Sequence, residues 1–181
     1  MNQVLDCGQL VEGIRGVAAD IERDFRADLG DQDNGRGNSN VLVVIGVLSG
    51  GVFFAIDLVR SLKVPTVLGW VRIQTYQGTS RRSDDGAKAD LLLDRDFSLY
   101  GRDVLVVDDI LDTGFTMRVV VEQISRFDPR SIKTAVLLRK PSTVPRIDID
   151  HVAFDITDTF VVGWGMDRDG RYRDLPGIWT I

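Results

Sequence analysis

A single cysteine, Cys7, and a single histidine, His151, in a chain of 181 residues remove several kinds of chemistry at the outset. An internal disulfide needs two thiols, and a zinc site draws on more thiolate and imidazole ligands than this pair can supply. Long apolar runs are missing too. None approaches the roughly 20 residues that span a bilayer, and the first residues lack the basic-then-apolar order of a signal peptide. A cytoplasmic protein with no membrane partner is therefore expected. Nor is there an excess of positive charge: 22 Lys and Arg against 27 Asp and Glu give a net charge of -5, which argues against a general nucleic-acid binder. A Gly-x-x-x-x-Gly-Lys-Ser/Thr run is absent, so an ATPase of the P-loop kind lacks its signature. What is present is 44% hydrophobic residues, enough for one compact domain with a real core.

Leu10, Val11, Ile14, Val17, Ala18, Ile21 and Phe25 recur at helical spacing and predict an amphipathic helix over about 8–28. Residues 30–40, rich in Gly, Asp and Asn, read as a mobile loop. The β-branched run at 41–47 predicts a strand buried on both faces. After Leu48-Ser49-Gly50-Gly51, helical periodicity returns over 52–63 and stops before Pro65. A strand is expected at 66–73. The polar stretch at 74–88, with Gly78, Arg81, Arg82, Asp84, Asp85 and Gly86, reads as a functional flap or a solvated hairpin. Further on, strands are expected at 104–107, 133–138 and 160–164, and a helix at 114–126. This alternation predicts an α/β fold: one domain with a mainly parallel, twisted sheet flanked by helices. Ligands in such folds gather beyond the carboxyl ends of the strands.

The chemistry concentrates in residues 104–117. Val104, Leu105, Val106 and Val107 run into the carboxylates Asp108, Asp109 and Asp112, then into Thr113, Gly114 and Thr116. A buried strand ending in an acidic lip, followed by a tight glycine turn into a helix with free amides, suits a phosphorylated sugar. Carboxylates match vicinal diols and hard cations, whereas a phosphate beside them needs donors.

The whole stretch resembles the phosphoribosyl-diphosphate (PRPP) motif of the type I phosphoribosyltransferases. Asp108 and Asp109 would then sit by the ribose hydroxyls and a Mg²⁺ shell, and the turn through Thr113, Gly114, Phe115 and Thr116 would wrap the 5-phosphate. Asp112 would be the general base. Phe115 departs from that pattern, because a basic or polar residue is common there; its amide can still serve the phosphate. Gly46-Val47-Leu48-Ser49-Gly50-Gly51 looks like the family's pyrophosphate loop, which implies Leu48, Ser49 and Gly50 as diphosphate contacts and a Leu48-Ser49 peptide that is often cis in relatives. The ending, Phe160-Val161-Val162-Gly163-Trp164-Gly165-Met166-Asp167 through Arg171-Tyr172-Arg173-Asp174-Leu175-Pro176, is similar to the hypoxanthine-guanine branch.

By that resemblance Phe160 stacks on a purine and the Val161 backbone reads its 2-position. Lys140 donates to the 6-oxygen, which favours a 6-oxopurine (hypoxanthine, guanine or xanthine) over adenine. Asp167 binds Mg²⁺ and Arg173 contacts pyrophosphate. Thr75 and Tyr76 match a flexible loop that closes over the reacting centre, with Arg72 assisting on the pyrophosphate side. The family's architecture further implies a core over about 41–140, a purine-binding hood over about 141–181 together with the N-terminal segment, and a homo-oligomer, dimer or tetramer. A PRPP-sensing regulator of the same fold that binds nucleic acid is the competing expectation, disfavoured by the acidic balance. A pyrimidine or orotate enzyme would leave the Phe160 to Pro176 ending unexplained.

Overall fold

The computed structural model describes residues 1–29, 40–75, 87–92, 98–141 and 147–181. In chain order the elements are β1 (Asn2–Leu5), α1 (Cys7–Leu29), β2 (Leu42–Leu48), α2 (Val52–Ser61), β3 (Thr66–Thr75), β4 (Ala87–Leu92), β5 (Asp103–Leu111), α3 (Phe115–Ser125), β6 (Ser131–Arg139), β7 (His151–Asp155), β8 (Val161–Val162) and β9 (Ile178–Thr180). Most of the loop expected at 30–40 and the tip of the polar stretch at 76–86 lie outside the described residues.

α1 starts where the sequence can satisfy its first amides. Asp6 accepts from the Gln9 amide at 2.8 Å while Gln9 accepts from the Asp6 amide at 2.9 Å, a reciprocal cap. Its stripe of Leu10, Ile14, Val17, Ala18, Ile21 and Phe25 is buried. Burial of each large apolar side chain stabilises the fold by roughly 1.5–3 kcal/mol, which outweighs the modest intrinsic propensity of a sequence containing three glycines and two valines.

The main sheet runs β4-β3-β2-β5-β6-β7, parallel except for β4, which is antiparallel to β3. Alternate residues of the central strands serve opposite faces. Val44, Leu105 and Val107 pack with α1 and α2, whereas Val43, Ile45, Val104 and Val106 pack with Met117, Val120 and Ile124 of α3. From β2 the chain crosses to β3 over one face, and from β5 it crosses to β6 over the other. The strand order therefore reverses between β2 and β5, and a crevice opens at their carboxyl ends.

Register sharpens where that crevice begins. β2 pairs with β5 as far as Gly46 opposite Val107, then turns away through Ser49, Gly50 and Gly51. β5 continues against β6 to Leu111 opposite Arg139. The strand expected at 104–107 thus extends four residues further, and Asp108 and Asp109 lie within it: one edge remains hydrogen-bonded while the β2 edge is open. The expected strand at 160–164 shrinks to Val161–Val162 and belongs to a separate three-stranded sheet, β1-β9-β8, which ties the two chain ends together. β3 extends two residues past the expected 73, paired with β4 in a hairpin.

Candidate active site

A cavity of about 300 Å³ occupies the crevice, lined by Leu48 and Gly50 from the β2 turn, by Asp108, Asp109 and Asp112, and by Thr113, Gly114, Phe115 and Thr116. Two helix starts lie beside it without a side-chain cap. α3 opens on Gly114 at φ +79; the Phe115 amide makes a long 3.4 Å contact to Thr113 Oγ1. Gly114 is required here because a left-handed residue lets the chain reverse from β5 into the helix. α2 likewise opens on Gly51 without a side-chain cap, and the peptide joining Leu48 to Ser49 is cis. Uncapped helix starts present amides and the positive end of the helix dipole to an anion.

Between them sits the acidic pair. Burial, reinforced by the neighbouring Asp109 carboxylate, pushes Asp108 well above the usual carboxylate range. Burial also raises Asp109, with hydrogen bonds from Asp108 and backbone amides and the Arg173 guanidinium pulling the other way. Two desolvated carboxyls side by side suit a cation or hydroxyl donors. Hard oxygen donors of this kind fit Mg²⁺, which characteristically takes one or two carboxylates and completes its shell with water and substrate oxygens. Among the described residues no three His, Cys, Asp or Glu side chains gather to hold a metal on their own.

Close approach explains the glycine at 50. A methyl there would lie 1.8 Å from Asp109 Oδ2, so the turn can pass over the acidic pair only as bare backbone. At position 115 the benzyl ring of Phe115 carries the Arg118 guanidinium 5.8 Å from its centroid, a cation-π arrangement one helical turn on. The motif's missing basic residue thus has a cation nearby.

Lys140, buried at the end of β6, is held beside β5 by its amide, which donates to the Leu111 carbonyl at 3.0 Å. Its ammonium lies 3.5 Å from Asp112 Oδ2 and 3.7 Å from Asp158 Oδ1. Asp158 is a partner the sequence reading missed: in Thr157-Asp158-Thr159 it looks like an ordinary connection, and no spacing marks it. Phe160 is 53% exposed and Val161 is buried. Asp167 Oδ1 accepts from Arg173 at 2.8 Å, and its Oδ2 accepts from the Gly170 amide at 2.6 Å. Ser49, Lys140, Phe160, Val161, Asp167 and Arg173 do not line the 300 Å³ cavity itself. Arg72 sits in β3 opposite Leu48 and Asp90, and Thr75 ends that strand; Tyr76 lies outside the described residues.

A diol-and-cation lip flanked by two uncapped helix starts, at the switch point of a parallel sheet, defines a protein that handles a phosphorylated sugar. The chain belongs to the phosphoribosyl transferase domain family, whose model matches residues 1–169. It is 41% identical over 141 residues to the hypoxanthine-guanine phosphoribosyltransferase of Mycobacterium tuberculosis, covering 77% of this chain and 68% of that one. With the hypoxanthine phosphoribosyltransferase of Salmonella typhimurium it shares 36% over 159 residues, 86% of this chain and 87% of the relative. Solved structures agree. A Bacillus anthracis hypoxanthine-guanine phosphoribosyltransferase superposes with TM-score 0.81 at 32% identity over 100% of this chain and 98% of that one. A mutant hypoxanthine phosphoribosyltransferase from Trypanosoma cruzi, in a ternary substrates complex, gives 0.84 at 32% over 100% and 95%.

Proposed function

We propose that this protein is a purine-salvage enzyme that joins a 6-oxopurine to the ribosyl carbon of PRPP, giving a nucleoside 5'-monophosphate and pyrophosphate. The observation that carries the reading is the meeting, in one crevice, of the Asp108-Asp109 pair, the uncapped turn at Gly114 and Asp112 with the Lys140 ammonium 3.5 Å away. A phosphosugar site alone would not need a buried lysine next to a solvent-facing carboxylate.

In this reading the α3 amides and the Thr113 and Thr116 hydroxyls bind the 5-phosphate, and Asp108 and Asp109 face the ribose diol. Asp108 and Asp109, and separately Asp167, would each offer oxygen to Mg²⁺, which when bound supplies positive charge to the diphosphate. The amides around Leu48, Ser49 and Gly50, with Arg173, receive the diphosphate. Phe160 presents an exposed ring for a planar base, Val161 offers backbone to the 2-position, and the Lys140 ammonium donates to the 6-oxygen. Purine N9 attacks carbon 1 as the bond to the diphosphate oxygen breaks, and Asp112 accepts the proton from N7. General-base help of this kind contributes about 10²- to 10⁴-fold. The loop of Thr75 and Tyr76 would exclude water from the activated ribose. The hood formed by residues 141–181 with the N-terminal strand would carry the base side. A cytoplasmic homo-oligomer, dimer or tetramer, completes the reading; no described helix is long and apolar enough to cross a membrane.

Incubation with PRPP, Mg²⁺ and each of hypoxanthine, guanine, xanthine and adenine, followed by a pyrophosphate assay, tests it. Release with hypoxanthine or guanine and not with adenine is expected. Release with no base would overturn the enzyme reading, since a protein that only senses PRPP binds it without turnover.

A further inference from the structure

Gly165 sits where the carboxyl-terminal segment meets the turn after β2. A methyl on residue 165 would lie 2.4 Å from the Gly50 carbonyl oxygen and 3.1 Å from the Phe53 ring, so the two segments touch through bare backbone. Both polar groups of Gly165 are engaged by one residue: its amide donates to the Arg173 carbonyl at 3.0 Å, and its carbonyl accepts from Arg173 Nη1 at 2.5 Å. The other end of that guanidinium holds Asp167 at 2.8 Å. Gly50, on the opposite side, rests against Asp109. Asp109, Gly50, Gly165 and Arg173 therefore form a continuous stack in which the β2 turn is clasped between the acidic pair and the carboxyl-terminal segment. φ at Gly165 is +98, a conformation that side-chain-bearing residues rarely adopt.

We infer that Gly165 is a positioning residue for the diphosphate: it sets the distance between the Arg173 guanidinium and the amides of the β2 turn, so that both reach the same leaving group. The inference rests on the phosphoribosyl-transfer reading above. It follows from contact geometry. Two sets of donors on different segments grip one diphosphate only if their separation is fixed, and at Gly165 and Gly50 the two segments meet too closely to admit a Cβ. A Cβ at that point forces the segments apart by about an ångström, and a displacement of this size costs about a hundredfold where donors must converge.

The test is calorimetric titration of the full-length protein with inorganic pyrophosphate in the presence of Mg²⁺, alongside steady-state KM values. Gly165→Ala is expected to weaken pyrophosphate binding by about tenfold to a hundredfold and to raise the PRPP KM in step. The KM for hypoxanthine should stay within about twofold, because the base side is not crowded by the methyl. Gly101→Ala controls for backbone strain: φ there is +66 and nothing lies within 4 Å of the added carbon, so pyrophosphate binding should be unchanged. On an Arg173→Ala background, Gly165→Ala should cost less than about twofold further, because the two act as one unit. Where the methyl at 165 prevents folding, Phe53→Trp crowds the same contact from α2 and must give the same selective loss, smaller in size. Equal loss for pyrophosphate and hypoxanthine, full additivity with Arg173→Ala, or an unaltered pyrophosphate affinity overturns the inference. Wild-type protein that neither binds pyrophosphate nor makes nucleotide would instead overturn the reading beneath it.

Discussion

The two halves of the candidate site are held by different means. The acidic pair and the phosphate turn hang from β5, which pairs with β6 along its whole length and is buried on both faces up to Val107. The carboxyl-terminal half, from Phe160 to Arg173, rests on the two-residue β8, on isolated bridges between Gly163 and Met166 and between Arg168 and Arg171, and on left-handed turns at Trp164, Asp169 and Tyr172. A long paired strand spreads any local change over many backbone bonds, whereas a knot of turns depends on each one. Substitutions in the first half should therefore report on chemistry, and those in the second on placement.

Asp112→Asn is the severest test of the first half. It is isosteric, and the turn is anchored by β5, so kcat should fall by about 10²- to 10⁴-fold with the PRPP KM close to wild type. A parallel rise in the PRPP KM would mean that the turn has moved, and the distinction between rigid and adaptable halves would fail. Next in size is Lys140→Ala, which bears on both halves because its ammonium spans Asp112 and Asp158. Losing a charge-assisted hydrogen bond costs about 1.5–3 kcal/mol, so the hypoxanthine KM should rise by about ten- to a hundredfold, far more than that for PRPP. Equal losses would identify Lys140 as a structural clamp. Phe115→Lys should change the PRPP KM by less than about threefold if helix-start amides bind the phosphate. A large gain in affinity would show that the Arg118-Phe115 stack is a poor substitute for a lysine.

The same contrast governs what can be read from the sequence. β2 and β6 are legible because strands buried on both faces are runs of Val, Ile and Leu, and α3 because Met117, Val120 and Ile124 recur on one face. The extension of β5 through Asp108 and Asp109 is hidden, since Asp disfavours strands and only pairing with β6 keeps it extended. β1 and β9 are too short for any periodicity and become strands through each other. β4, Ala-Lys-Ala-Asp-Leu-Leu, carries no strand propensity, and β7 is a five-residue edge. In the site, the order of acidic and glycine residues points to the crevice, while Asp158 and the seat of Gly165 depend on tertiary contact alone.

The smallest expected effect concerns His151, at the head of β7 and away from both halves, and it serves as the reference for them. The side chain is buried, Nε2 has no hydrogen-bond partner among the described residues, and Asp24 Oδ2 stands 3.6 Å away. Burial lowers its pKa; Asp24, Asp150 and Asp20 pull it up, and Lys133 pushes it down. An unfolded chain takes up the proton as pH falls through about 6.5, whereas the folded chain stays neutral until lower pH. Stability is therefore fully present above that value and declines as pH falls from it toward the folded pKa. Urea unfolding should show a steeper fall from pH 7.5 to 5.5 in wild type than in His151→Gln, with kcat and both KM values of the variant unchanged at pH 7.5. Parallel stability curves would mean that Asp24 accommodates the protonated ring in place. A shift in either KM would mean that the outer strand communicates with the site, and would end its use as a reference for the two halves.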